Sequence, residues 1–472
     1  MKSKMSERQT NLPLTELTAI STIDGRYRGI TAELAPFVAE YNLIRVRLEI
    51  EAKYLVALSK VGLVRPLSPA EVKTITSFGP ELTLEDAEKV KEIEDKLQHD
   101  VKAMEKAFRD EVKGTSLEDV TEMIHFGLTS EDVNNLAYRS MLKRATQAIM
   151  VPSLDNITDF LVDFAQQYKK QPMLGRTHGQ PAVPTTVGKE FVNFAMRLNE
   201  QTRQLQTRGL KGKLTGAVGN LNALNEVHPE IDWITFSSDF VESLGFTPNL
   251  ATTQINPYED VIEYLQNYMR INGVIKDLDQ DIWRYISDRW LIQQVVGEEA
   301  GSSTMPQKVN PIKFENSEGN EIMANAVLGA ICDALGQSRL QRHLSDSTIV
   351  RNNGLALGFC LVTCKNATQG LTRIKLNPEQ IMEDLNKDWA ILSEPAQIIL
   401  REAGVAGAYD LVKSLSRGIS ISREGWQKWV DELPISENLK IPLKSLTPET
   451  YIGLAVELTD LAIKDIKASR KK

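Results

Sequence analysis

The sequence predicts a mainly α-helical protein. Long segments carry apolar residues at helical spacing, helix-start signals recur between them, and no stretch sustains two-residue alternation, so strands are expected to be few. With 472 residues, the chain exceeds what one core usually supports, and two or three domains are expected.

The first twenty residues are polar. Asp24 and Gly25 then mark a turn in IDGRYR, followed by Arg26, Tyr27 and Arg28. Taken alone, this is a turn bearing solvated arginines. From Ala35 to Val61, Leu43, Val46, Ile50, Leu55 and Leu58 recur with the helix period. Ser68 and Glu71 bracket Pro69 in a capping box, so a helix begins there. Another starts near Thr83, with Asp86 three residues on, and is expected to run unbroken through KVKEIEDKLQHDVKAMEKAFRDEV, carrying His99 and Asp100 on it. A lone histidine beside an aspartate is most often a surface or satisfied core residue.

In HFGLTSEDVNN, Thr129 or Ser130 caps a helix whose first turn holds Glu131 and Asp132. Capping explains these residues by itself, although the free amides of a helix start also suit a carboxylate or phosphate. In MLGRTHGQPAVPTT, Pro181 and Pro184 break any helix, which places His178 on or beside an irregular turn. An imidazole held there suits proton transfer. The glycine-rich GKLTGAVGNLNAL at 212–224 lacks the GxxxxGK[ST] pattern of a phosphate loop.

Nearly forty proline-free residues follow from Tyr258 to Val296, with an apolar stripe from Ile262 to Leu291 that points to a bundle or oligomer core. The loop GEEAGSSTMPQKVNP comes next. Gly301, Pro306 and Pro311 break helical structure, which leaves Ser302 to Asn310 as an exposed loop. Its hydroxyls, amides and the Lys308 ammonium suit an anion. By composition it could equally be a polar connector. The stretch 321–375 repeats the helical pattern and includes SRLQRHLSDSTIVRNN. Asn377 and Pro378 open a further helix, and the C-terminal hundred residues read as helical.

A hydrophobic fraction of 42%, a charged fraction of 25% and a net charge of −8 describe a globular chain and disfavour general nucleic-acid binding. Cys332, Cys360 and Cys364 give no disulfide framework and read as buried thiols in a reducing compartment. Neither an apolar leader nor an apolar run of about 18 residues is found, so a cytoplasmic location without membrane association is expected.

GSSTMPQKVNP resembles the signature loop of the fumarase/aspartase superfamily, GSSxMPxKxNP, and its continuation IKFENSEGN resembles that of the adenylosuccinate lyases. RTHGQPA, GLTSED and QHDVKA resemble further family motifs in the family's order, so the similarity spans nearly the whole chain. It implies a three-domain, all-α fold, divided here as 1–118, 119–371 with the loop 297–312, and 372–472. It also implies a homotetramer with active sites shared between subunits.

The implied reaction is β-elimination of fumarate from adenylosuccinate and from succinylated aminoimidazole carboxamide ribotide, with no metal or cofactor. By resemblance His178 is the general acid, Ser302 the base, and Lys308 the stabiliser of the carbanion. Asn310 holds the same carboxylate, and Thr129, Ser130, His99, Asp100 and Gln254 bind substrate. Arg26, Tyr27, Arg342, Ser347 and Arg351 match positions that contact the phosphate and base. Relatives commonly show a histidine where this chain has Leu224, and a different polar residue where it has Gln98. Argininosuccinate lyase, fumarase and a non-catalytic helical descendant remain the alternatives; the arginines favour a phosphorylated substrate, and the intact serine, lysine and histidine favour an enzyme.

Overall fold

The computed structural model describes residues 13–297, 304–305, 307–416 and 420–471. Among the described residues helices dominate, and the strands form three separate two-stranded pieces. By packing the chain divides into two units, each assembled from three segments.

The first unit comprises the residues up to Ser153, Gln204–Asn272 and Gly319–Thr363. At its centre runs the helix Glu40–Lys60, which buries Leu43, Val46, Ile50, Leu55 and Leu58 as the periodicity requires. It also buries Arg47, Glu51 and Tyr54, polar groups that need partners once out of water. Tyr54 meets Phe236 and Phe240 edge-on, with ring centroids 6.0 and 5.6 Å away.

The caps read from sequence are present at Ser68–Glu71 and Thr83–Asp86. The expected continuous helix after Thr83 is instead two helices, Leu84–Leu97 and Asp100–Val112. Gln98 turns left-handed, with φ 54°, and His99 caps the second helix by accepting the Lys102 amide at its Nδ1. Eight polar or charged residues in KEIEDKLQHD hide this break, because the junction has neither glycine nor proline to signal it.

The second unit comprises Leu154–Arg203, Gly273–Glu318 and the chain from Cys364 onward. Its RTHGQPA stretch forms the tip of a β-hairpin rather than an irregular turn. Pro172–Thr177 pairs antiparallel with Gln180–Thr186, and His178 and Gly179 make the two-residue turn. Both have positive φ, 53° and 73°, which matches the twist-compatible turn of tight hairpins. A two-stranded ribbon is all edge, so Pro181 and Pro184 are tolerated within it. The register shifts between Leu174 and Arg176, and a Cβ on Gly175 would lie 2.6 Å from the Val183 carbonyl oxygen. Only glycine fits that bulge.

Below the hairpin, Trp290 is 2% exposed and donates to Asp384 at 2.6 Å. Tyr285 stacks on its ring, and the Arg176 guanidinium lies 5.4 Å from the ring centroid. The expected forty-residue helix is a 29-residue one, Glu259–Ser287. It ends before Arg289 turns left-handed, with φ 61°, and Leu291–Gln293 pairs as a strand with Ile374–Leu376. Asn377 caps Pro378–Asn386 as read from sequence. Cys360 and Cys364 are buried and in no disulfide, whereas Cys332 is part-exposed. Among the described residues, no helix is long and apolar enough to cross a membrane.

Candidate active site

Within the first unit the expected ligands gather around the start of the helix Ser130–Ala145. Thr129 is its cap, and its backbone N–H donates to Asp132 Oδ2 at 2.9 Å. Thr129 and Ser130 are part-buried, which leaves a polar helix start of the type that binds anions. Glu131, the next residue, is 3% exposed and faces Arg342 Nη2 at 2.9 Å. Burial pushes its carboxyl up to about 7 against the pull of Arg342.

Arg342 also meets Asp346 at 3.4 Å. Asp346 in turn accepts from the Ser347 amide at 2.8 Å and the Tyr258 hydroxyl at 3.3 Å. Arg342 and Ser347 therefore share one carboxylate beside the helix start.

A second group forms around Asp100. Its Oδ2 accepts from Arg47 Nη2 at 2.7 Å and from Arg351 Nη2 at 2.8 Å. Burial raises this carboxyl, but Arg47 and Arg351 outweigh it and hold it down at about 2. Arg351 reaches Glu40 as well, at 2.8 Å. His99 is exposed at the adjoining cap. Arg26 is exposed, and the Tyr27 hydroxyl accepts from Asn320 Nδ2 at 3.4 Å. Asn320 belongs to the FENSEGN run of the helix Ile312–Leu335. Gln254 donates to the Ala217 carbonyl at 3.2 Å, seating it on the glycine-rich loop.

In the second unit the His178 side chain is exposed at the hairpin tip. On the signature loop Lys308 is exposed, and its amide donates to the Met305 carbonyl at 3.1 Å. Gln293 Nε2 donates to the Val309 carbonyl at 3.1 Å, and Asn310 is part-buried. Ser302, the expected base, lies outside the described residues.

Two ion pairs, one part-buried and one fully buried, are not legible in the sequence. Glu51, on the helix Glu40–Lys60, lies 2.5 Å from His125 Nδ1, with no exposure of its side chain. Burial lowers the His125 pKa, but the Glu51 hydrogen bond and charge more than reverse this and raise it. Asp132 and Lys213 form an ion pair at 2.6 Å with neither side chain exposed. The available signals were a first-turn aspartate and a lysine in a glycine-rich loop, and both have commoner explanations. Leu224, where a histidine was noted in relatives, is 2% exposed and packs against Gly127.

A family model described as lyase matches residues 25–329, and one described as adenylosuccinate lyase C-terminal matches residues 338–452. The adenylosuccinate lyase of Haemophilus influenzae is 40% identical over 453 residues, covering 95% of this chain and 99% of the relative. That of Legionella pneumophila (strain Corby) is 41% identical over 451 residues, covering 95% and 99%. The Dictyostelium discoideum enzyme is 42% identical over 461 residues, covering 94% and 98%.

Among solved structures, a fumarate lyase from Mesorhizobium sp. BNC1 superposes with a TM-score of 0.73 at 17% identity, covering 92% of this chain and 97% of the other. A 3-carboxy-cis,cis-muconate lactonizing enzyme from Pseudomonas putida also gives 0.73, at 19% identity, covering 93% and 98%. At these identities the likeness is one of fold.

Proposed function

We propose residue roles for a chain that belongs to the adenylosuccinate lyase family of the fumarase/aspartase superfamily. It is a lyase of purine biosynthesis, acting on adenylosuccinate to release fumarate and leave AMP. In our reading it also cleaves the succinylated aminoimidazole carboxamide ribotide, whose reacting succinyl group is the same.

The reaction removes a proton from the carbon beside a carboxylate and then breaks a carbon–nitrogen bond. Ser302 takes the proton. A serine hydroxyl is too weak a base unaided, so its alkoxide must be favoured by loop amides and nearby cations. The carbanion's charge spreads onto the adjoining carboxylate, which Lys308 and Asn310 stabilise. As the bond to nitrogen breaks, its electron pair stays with nitrogen, and His178 delivers a proton there.

The single observation that supports this assignment best is the His178 turn. Its left-handed backbone, paired strands and the Trp290 ring against Arg176 present an exposed imidazole from the tip of a hairpin. Precise placement of an acid is worth orders of magnitude in rate.

Thr129, Ser130, His99, Asp100 and Gln254 are assigned to substrate binding. Arg26, Tyr27, Arg342, Ser347 and Arg351 are assigned to the phosphate and base, since guanidinium forks suit phosphate oxygens. The three-domain division, the cytoplasmic location and a homotetramer with shared sites belong to the same reading. Exposed apolar side chains on long helices, among them Trp283, Ile322 and Met323, support assembly.

The test follows fumarate release by ultraviolet absorbance with adenylosuccinate as substrate. His178→Ala is expected to abolish nearly all turnover while substrate still binds. Wild-type turnover in that variant would remove His178 from the mechanism.

A further inference from the structure

The glycine-rich segment 212–224 carries no phosphate-loop pattern, yet it holds the most deeply buried lysine of the first unit's polar groups, with 0% exposure. Asp132, its partner, is also 0% exposed, and the two oxygens of its carboxylate do different work. Oδ1 accepts from Lys213 Nζ at 2.6 Å, from the Thr215 amide at 3.0 Å and from the Gly216 amide at 3.2 Å. Oδ2 accepts from the Thr129 amide at 2.9 Å. Lys213 Nζ continues to the Gly216 carbonyl at 2.9 Å.

One turn further along the helix, Asn135 repeats the link. Its Oδ1 accepts the Lys213 amide at 2.9 Å, and its Nδ2 donates to the Lys213 carbonyl at 3.0 Å. The glycine-rich loop then reaches the segment carrying Gln254. Thr215 and Thr252 share a hydroxyl hydrogen bond of 2.7 Å, and Gln254 donates to Ala217.

A fully buried ion pair is a poor device for stability, because desolvating both charges offsets most of their attraction. Apolar residues of similar volume often hold a fold as well. What they cannot do is make directed bonds to two separate segments at once. We propose that Asp132 and Lys213 are positioning residues for substrate, fixing the Thr129–Ser130 helix start against the glycine-rich loop on which Gln254 is seated. This rests on the reading of Thr129, Ser130 and Gln254 as substrate contacts. Neither member of the pair touches substrate itself.

The test separates folding from positioning. An Asp132→Leu/Lys213→Met double variant removes both charges together, so no orphan charge is buried. It is expected to unfold near the wild-type temperature yet lose at least about tenfold in kcat/KM, mostly through KM, because two binding segments lose their mutual register. A stable double variant with wild-type kcat/KM would overturn the proposal.

Asp132→Asn covers the case in which the double variant does not fold. Its side-chain oxygen can still accept from Lys213, Thr215 and Gly216, while its amide turns a donor toward the Thr129 amide. KM is expected to rise about tenfold with a smaller change in kcat, and an unchanged KM contradicts the proposal. Thr129→Ala/Ser130→Ala serves as the reference. If that variant alone leaves KM unaltered, the assignment of these two residues as ligands fails. If it raises KM and the pair variants do not, the positioning role fails.

Discussion

Arg47, with 1% of its side chain exposed, donates to Asp100 Oδ2 at 2.7 Å, so a residue expected to bind substrate also neutralises a buried guanidinium. Replacing Asp100 with alanine leaves Arg47 with Asn134 as its other hydrogen-bond partner. The loss is expected to cost about 3 kcal/mol at neutral pH, measured by chemical unfolding.

The same carboxyl predicts an acid limb. Because its folded pKa is held down at about 2 from 3.8, its contribution is fully present above 3.8 and is lost as pH falls through about 2. Unfolding curves should therefore show wild type and Asp100→Ala converging toward pH 2. Parallel curves from pH 7 to pH 2 would mean that this ion pair is not linked to folding.

The opposite sign is expected at His125. Its pKa is raised above 6.5 by the Glu51 contact, so its stabilisation is complete below 6.5 and disappears as pH rises through the folded value. Glu51→Gln should flatten the stability profile above pH 6.5 and cost about 1 kcal/mol below it. An unaltered profile would show that the pair carries no proton linkage.

Gly219 offers a steric test of the loop that Asp132 anchors. It has φ +79°, and an added Cβ would lie 2.1 Å from the Thr252 carbonyl oxygen. Backbone cannot move aside as a flexible side chain can, so Gly219→Ala is expected to destabilise by about 2–4 kcal/mol. A thermal midpoint equal to wild type would show that the loop tolerates displacement from the Thr252 backbone.

Much of this architecture was legible because it is local. The capping boxes at Ser68 and Thr83 and the Asn377–Pro378 start each need only four residues to be recognised. The His99 break was not legible, because Gln98 adopts a left-handed turn without glycine. The sequence of the His178 hairpin reads as an irregular turn, since its prolines mask strand character that a free-edged ribbon allows.

The buried pairs could not be read at all. Lys213 and Asp132 stand 81 residues apart, and Glu51 and His125 stand 74 apart. Only the fold tells a first-turn aspartate that caps from one that also binds a distant lysine. The motifs GSSTMPQKVNP and RTHGQPA were legible as resemblances, and that is why Lys308 and His178 could be named.

Lys308 supplies the one charge expected to act on the carbanion. Its replacement by alanine should lower kcat by about a hundredfold or more while affecting KM less, because the stabilised charge exists only near the transition state. Steady-state kinetics giving kcat within about threefold of wild type would make it a solvated loop residue.

In the proposed composite site His178 and Ser302 act on one substrate from different copies of the chain. Inactive His178→Ala and inactive Ser302→Ala proteins should be dissociated, mixed, reassembled and assayed for fumarate release. Partial recovery of activity is expected, since some sites then receive both intact residues. Hybrids that form, as shown by mass spectrometry of differently tagged chains, but stay fully inactive would place both residues in one subunit and contradict it.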